Sequence, residues 1–163
     1  MNKVLIYYLG FFCFVIIFVI SYAAYKIPDR QQMNSCFKTS MFQVFVCPGS
    51  EEYVPISQIS NNVIISIIIS EDASFYSHKG FDWVSIKESF DKNLEKKKII
   101  RGGSTISQQL AKNLYFSAEK SILRKVSEMI MTAKIERELS KKEILEKYLN
   151  IIEFGDNIFG IKS

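Results

Sequence analysis

The stretch Arg101-Gly102-Gly103-Ser104-Thr105-Ile106-Ser107-Gln108-Gln109-Leu110-Ala111-Lys112-Asn113 changes character at Thr105. Two glycines break the chain before it, and after it Ile106, Leu110 and Leu114 recur at helical spacing. Thr105 and Gln108 have capping-box spacing, so a helix is expected to start here. Glycines let a ligand approach the backbone, and a helix start offers unpaired N–H groups and a positive dipole end, which together suit an anion. Lys112, about two turns further on, adds a charge for a longer anion such as a pyrophosphate. The segment is not a P-loop, which needs a lysine directly after its last glycine. Standing alone, it reads more simply as a glycine-rich turn and helix cap.

Downstream, Ser121 to Leu139 carries Ile122, Val126, Ile130 and Ala133 at helical spacing. Ser140 and Glu143 form a second capping box ahead of Ile144, Leu145, Tyr148 and Leu149, so two consecutive helices are expected. Arg124 and Glu128 are four apart and share a helix face; an isolated pair of this kind is a surface ion pair worth a few tenths of a kcal/mol.

Upstream, Glu71-Asp72 follows Val63-Ile64-Ile65-Ser66-Ile67-Ile68-Ile69, whose β-branched residues favour a strand by propensity but whose short apolar run fits a buried helix equally well. A carboxylate at the end of a buried element is partly desolvated and becomes a better base. A bare Glu-Asp pair is otherwise a solvated acidic turn. His78 has no second His or Cys at metal-binding spacing, which favours a structural hydrogen-bonding role. Between Phe81 and Ile100, Phe81, Trp83 and Phe90 mix with Lys92, Lys96, Lys97 and Lys98; the segment suits a membrane interface or a solvated linker.

Towards the N-terminus, Val4 to about Tyr25 is almost wholly apolar and about long enough to cross a bilayer as a helix. Ser21 to Tyr25 makes a poor cleavage site, so residues 1–26 are expected to be an uncleaved anchor, followed by a stalk over 27–56 that holds all three prolines and a short strand at Phe42 to Val46. Lys3 on one side and Lys26 and Arg30 on the other nearly balance for orientation. Cys36 and Cys47 are the only pair that would bridge in an oxidising compartment, since Cys13 lies in the apolar run; their spacing fits neither a zinc site nor a CxxC motif. With 163 residues there is room for one modest domain, 57–163, and the net charge of +4 is dispersed among acids. No nucleic-acid partner is expected.

Glu71-Asp72-x-x-Phe75-x-x-His78-x-Gly80, then Gly102-Gly103-Ser104-Thr105-Ile106-x-Gln108-Gln109-x-x-Lys112-Asn113, then Arg124-Lys125-x-x-Glu128 resemble, in order and spacing, the first three motifs of glycosyltransferase family 51. Lys142-x-Ile144-Leu145-Glu146-x-Tyr148-Leu149-Asn150 is similar to the fourth motif, and Gly155 to Gly160-Ile161 to the start of the fifth. The family includes the monofunctional peptidoglycan polymerases and the N-terminal domains of class A penicillin-binding proteins. The resemblance, over roughly 55–161, implies a mainly α, lysozyme-like domain with a smaller membrane-facing lobe, behind one transmembrane helix. It also implies that the Ile-rich segment is a buried helix.

The activity implied is polymerisation of lipid II by inverting transfer from an undecaprenyl-pyrophosphate-linked glycan chain to the 4-hydroxyl of the acceptor GlcNAc. Glu71 matches the family's base and Glu128 its second glutamate, which positions basic groups or a metal. Lys112, Lys120 and Arg124 match the basic donor site, Ser104, Gln108 and Gln109 its polar lining, and Asp72 accompanies Glu71 as a substrate-binding position. No cofactor is required, although a divalent cation, Mg or Mn, is compatible with a pyrophosphate leaving group. The implied location is the bacterial cytoplasmic (inner) membrane, single-pass, N-terminus inside and domain on the outer face. Implied partners are lipid II, the lipid-linked chain, the membrane and other cell-wall synthesis proteins.

The sequence departs from the family by ending at Ser163, where the fifth motif would lead into helices completing the large lobe. A version extended by those helices is expected to polymerise more readily than this chain. The alternative is a catalytically inactive, membrane-anchored module that binds lipid II or cell-wall synthesis partners. A muramidase is the remote rival, opposed by the Gly-Gly-Ser-Thr and basic motifs. Penicillin-binding activity is not expected.

Overall fold

The computed structural model describes residues 6–15, 18, 28–96, 102–119 and 121–162. It divides into two compact units, 1–33 and 34–163. In the first, residues 6–15 and 18 are helical, and α1 (Arg30–Met33) is held by reciprocal bonds between Asp29 and Gln32. The anchor expected over 1–26 falls largely outside the described residues. No described helix is long and apolar enough to cross a membrane.

The second unit is mainly helical: α2 (Asn61–Glu71), α3 (Trp83–Lys96), α4 (Ile106–Tyr115), α5 (Ile122–Glu138) and α6 (Lys141–Leu149). Both expected capping boxes are present, Thr105 with Gln108 opening α4 and Ser140 with Glu143 opening α6. Each satisfies orphan N–H groups that a helix start leaves unpaired. Ser121 caps α5 through the Arg124 N–H. The core is where α4, α5 and α6 meet: Ile106, Leu110 and Leu114 recur along one face of α4, against Ile135 of α5 and Ile144, Leu145, Tyr148 and Leu149 of α6. Each such side chain contributes about 1.5–3 kcal/mol by leaving water.

The Ile-rich segment is helical, as the family resemblance implies, but it is not buried. Val63, Ile65 and Ile69 are exposed, and none of α2's residues is fully covered. Its cover is confined to Ile64, Ile67 and Ile68, which are half-buried.

Residues 34–56 belong to the same compact unit as the helices. The strand expected within 42–46 is the shorter β2 (Phe45–Val46), paired antiparallel with β1 (Phe37–Lys38), and Cys36 and Cys47 close this hairpin as a disulfide. Its tip donates Ser40 N–H to Leu114 O (3.0 Å) and Met41 N–H to Asn113 O (3.2 Å), satisfying carbonyls at the end of α4. Further on, Asn150 exchanges hydrogen bonds with Val54 N (2.8 Å) and Val54 O (2.9 Å), while Glu146 accepts from Tyr53 Oη (3.0 Å) and Ile56 N (2.9 Å). The polar residues of the fourth motif therefore clamp an incoming strand-like segment to α6.

A second hairpin, β3 (Glu153–Gly155) with β4 (Ile158–Phe159), follows α6. It turns back at Gly160, whose φ is +78° and whose missing Cβ would lie 2.7 Å from Asn150 O. Because the disulfide closes a loop of eleven residues' separation, replacing both cysteines by serine should lower unfolding stability by about 2–3 kcal/mol. Denaturant titration of the oxidised chain against the double variant measures this, and reduced wild type should behave like the variant.

Candidate active site

Immediately after α2 the chain folds on itself so that Glu71 and Asp72 take opposite environments. Glu71 is exposed, and its Oε2 accepts a hydrogen bond from Gln109 Nε2 at 2.8 Å. Gln109 Oε1 in turn accepts from Tyr148 Oη at 3.1 Å. Asp72 is turned inward, with its side chain only 2% exposed. It accepts from the Ile106 N–H (3.0 Å), from His78 Nε2 (3.0 Å) and from Ser74 Oγ (3.4 Å).

His78 Nδ1 accepts the Gly80 N–H at 3.1 Å, which assigns the proton to Nε2, the atom facing Asp72. His78 is thus a structural hydrogen-bonder. Gly80 has φ +89°, and a Cβ there would stand 3.0 Å from Thr132 Cγ2 and Glu136 Cγ on α5. Only glycine permits both this backbone and this approach. Thr105 Oγ1 donates to Gly80 O at 2.7 Å, tying the turn to the start of α4.

The helix start expected to hold an external anion is occupied from within. Asp72 takes the Ile106 N–H and Thr105 Oγ1 takes the Gln108 N–H, so the favourable dipole end stabilises a carboxylate of the chain itself. Asp82 plays a similar part at α3, accepting from Ser85 N (2.9 Å), Ser85 Oγ (2.8 Å) and Ser74 Oγ. The bond from Ser74, then those from Ser85, lower its pKa to about 2. The stabilisation this cap supplies is complete above the ordinary value of 3.8 and is lost as pH falls through about 2.

Glu71, Asp72, Ser104 and Gln109 line one cleft of about 410 Å³, together with Ser74, Asp82, Ser85 and the Gly102–Gly103 turn. Gln108, buried by its capping role, lines a neighbouring groove of about 380 Å³ with Phe81, Trp83, Phe90, Lys125 and Met129. Gly103 and Ser104 border both. Lys112, half-buried on α4, follows Gln108 by four residues on the same face. Lys120 lies outside the described residues.

Glu128 is not a surface partner: its side chain is 2% exposed and receives Arg124 Nη1 at 2.7 Å and Lys125 Nζ at 2.5 Å. Removing the cations would leave the buried Glu128 carboxylate uncompensated, so Glu128 holds Arg124 and Lys125 towards it. Arg124 Nε is buried and has no hydrogen-bond partner among the described residues. Both Glu128 oxygens are engaged by cations, and no group of three His, Cys, Asp or Glu side chains is gathered among the described residues.

Tyr148 is the site residue that sequence reasoning missed. Its spacing with Ile144 and Leu145 reads as core, and it is fully buried. A buried phenol needs a partner for its hydroxyl, and that requirement was the available signal.

The transglycosylase family model matches residues 39–163. Over 112 residues the chain is 50% identical to the biosynthetic peptidoglycan transglycosylase of Chromobacterium violaceum, covering 69% of this chain and 49% of that protein. The corresponding protein of Thiobacillus denitrificans is 48% identical over 112 residues, covering 69% and 48%. That of Nitrosomonas eutropha is 50% identical over 111 residues, covering 68% and 46%. The chain spans about half the length of these curated relatives.

Proposed function

The chain belongs to the transglycosylase family, and from that premise we propose that it is a peptidoglycan glycosyltransferase that joins lipid II units into β-1,4-linked glycan. The observation that carries this is the placement of Glu71: an exposed carboxylate at a polar cleft, one oxygen held by Gln109, in a cleft also lined by Ser104 and the glycine turn. The names of the relatives in three bacteria agree with peptidoglycan as the material worked on.

In this scheme the acceptor's 4-hydroxyl enters the cleft and gives its proton to Glu71 as its oxygen attacks the donor's anomeric carbon. The bond from that carbon to the pyrophosphate oxygen breaks, the α-linkage becomes β, and undecaprenyl pyrophosphate leaves with the bonding electrons. Negative charge growing on the leaving group is met by Lys112, Lys120 and Arg124. Glu128 keeps Arg124 and Lys125 directed, and Asp72 builds the cleft by fixing α4 to the turn after Glu71.

An outer-face, membrane-associated domain is supported by two features. The Cys36–Cys47 disulfide suits an exported chain. On α3, Trp83, Phe90 and Leu94 are exposed along one face with Lys87 among them, a composition suited to a membrane interface. The apolar N-terminal residues 4–25 would anchor it from the cytoplasmic side.

Lys112→Ala tests the donor half of the scheme. A cation acting on the pyrophosphate is felt in ground and transition states alike, so donor affinity and turnover should both fall by about tenfold or more, as for a lost charged hydrogen bond. Titration with labelled undecaprenyl-pyrophosphate-linked saccharide reads the first and polymer formation the second. Unchanged donor affinity would remove Lys112 from the pyrophosphate site.

A further inference from the structure

We propose that Tyr148 is a positioning residue for the glycosyl transfer, acting through Gln109 to set the orientation of the Glu71 carboxylate. The inference rests on the assignment of Glu71 as the base. An amide side chain can face either way, and which end meets Glu71 decides whether the contact attracts or repels. An ionised Glu71 accepts only and so takes the Nε2 end, while Tyr148 holds the other end of the amide in place. The Tyr148 hydroxyl donates to Gln109 Oε1 at 3.1 Å, and Nε2 donates to Glu71 Oε2 at 2.8 Å.

Three elements thereby converge on one carboxylate: α6 holds Tyr148, α4 holds Gln109 and the end of α2 holds Glu71. Tyr148 is fully buried in the packed interface of α6 with α4, so its hydroxyl has a fixed position from which to act. Burial, reinforced by the negative charges of Glu71 and Asp72, pushes the phenol well above its ordinary pKa, so it keeps its proton and remains a donor. With Oε2 engaged, Oε1 of Glu71, which has no hydrogen-bond partner among the described residues, is the oxygen to take a proton in the cleft. Gln109 is also a liner of that cleft, so its placement and that of the base are set together.

The test is a double-mutant cycle on the full chain, using Tyr148→Phe, Gln109→Met and the pair, with lipid II as substrate. Phenylalanine retains the ring that packs the core, and half-buried Gln109 can take a water in place of the hydroxyl, so the fold should persist. Tyr148→Phe should lower kcat about tenfold, as expected for a slightly misplaced reacting group, with KM within about twofold. In the Gln109→Met background it should cost nothing further. An unchanged kcat, or independent multiplication of the two effects, would overturn the relay, because a merely structural tyrosine acts whether or not Gln109 is present.

A readout independent of turnover uses the side-chain amide of Gln109 in ¹⁵N-labelled protein. Its resonances should move in both Tyr148→Phe and Glu71→Gln; an amide indifferent to Tyr148→Phe refutes the relay even in an inactive preparation. If Glu71→Gln retains turnover while the amide responds to both changes, the relay stands and the assignment of the base fails. If Glu71→Gln abolishes turnover while Tyr148→Phe alters neither amide nor kcat, the relay alone fails.

Discussion

Glu71→Gln is expected to lower lipid II polymerisation by at least the roughly 10²-fold typical of a lost general base, with lipid II affinity within a few-fold of wild type. Glutamine keeps the shape of the side chain and can still meet Gln109 through its own carbonyl, so the contact at 2.8 Å is not abolished. What it loses is the capacity to take the acceptor's proton. Since Glu71 is exposed and stands at the end of α2 rather than inside the core, the change should leave the melting temperature nearly unaltered. Retained turnover with lost lipid binding would make Glu71 a ligand-positioning group. The base would then have to be sought at Glu128 or Asp72, both of which the structure engages in internal bonds.

Asp72→Ala should act oppositely, removing stability before chemistry. The substitution strands the Ile106 N–H and His78 Nε2–H, both inside the protein, and frees the start of α4 from the turn that follows Glu71. Each buried donor left without a partner costs about 1–3 kcal/mol, giving about 3–5 kcal/mol with the lost packing. That is a large part of the stability of a small domain. Asp72→Asn should recover only part of it, because its amide nitrogen would confront a donor at either Ile106 or His78. Urea titration of the three proteins provides the measure. A variant Asp72→Ala as stable as wild type would show that the turn does not depend on this carboxylate.

The helices α4, α5 and α6 could be read from sequence because their signals are local. Thr105 with Gln108, Ser121, and Ser140 with Glu143 lie within a few residues of what they cap, and the apolar spacing lies on one strand of text. The Ile-rich run could be read as helical only through resemblance, and its burial was misjudged because an apolar composition does not reveal what covers it. Likewise the stretch expected as a stalk owes its place to Asn150 and Glu146, ninety or more residues away from Val54 and Ile56. In the site, the motifs named Glu71, Asp72 and Gln109 but not their partners. The bonds from Gln109 to Glu71 and from Ile106 to Asp72 span 38 and 34 residues. Those bonds divide the two adjacent carboxylates into an outward, cleft-lining one and an inward brace, a distinction invisible in the dipeptide.

The most direct test of glycosyl transfer is the fate of lipid II labelled in its disaccharide and incubated with the chain in detergent. Products should be glycan strands with β-1,4 linkages, cleavable by a muramidase, with one undecaprenyl pyrophosphate released for each new bond and none of this with Glu71→Gln. Release of free disaccharide without a new glycosidic bond would assign hydrolysis instead. Tight lipid II binding with no glycan product would contradict the catalytic account and leave a binding module in its place.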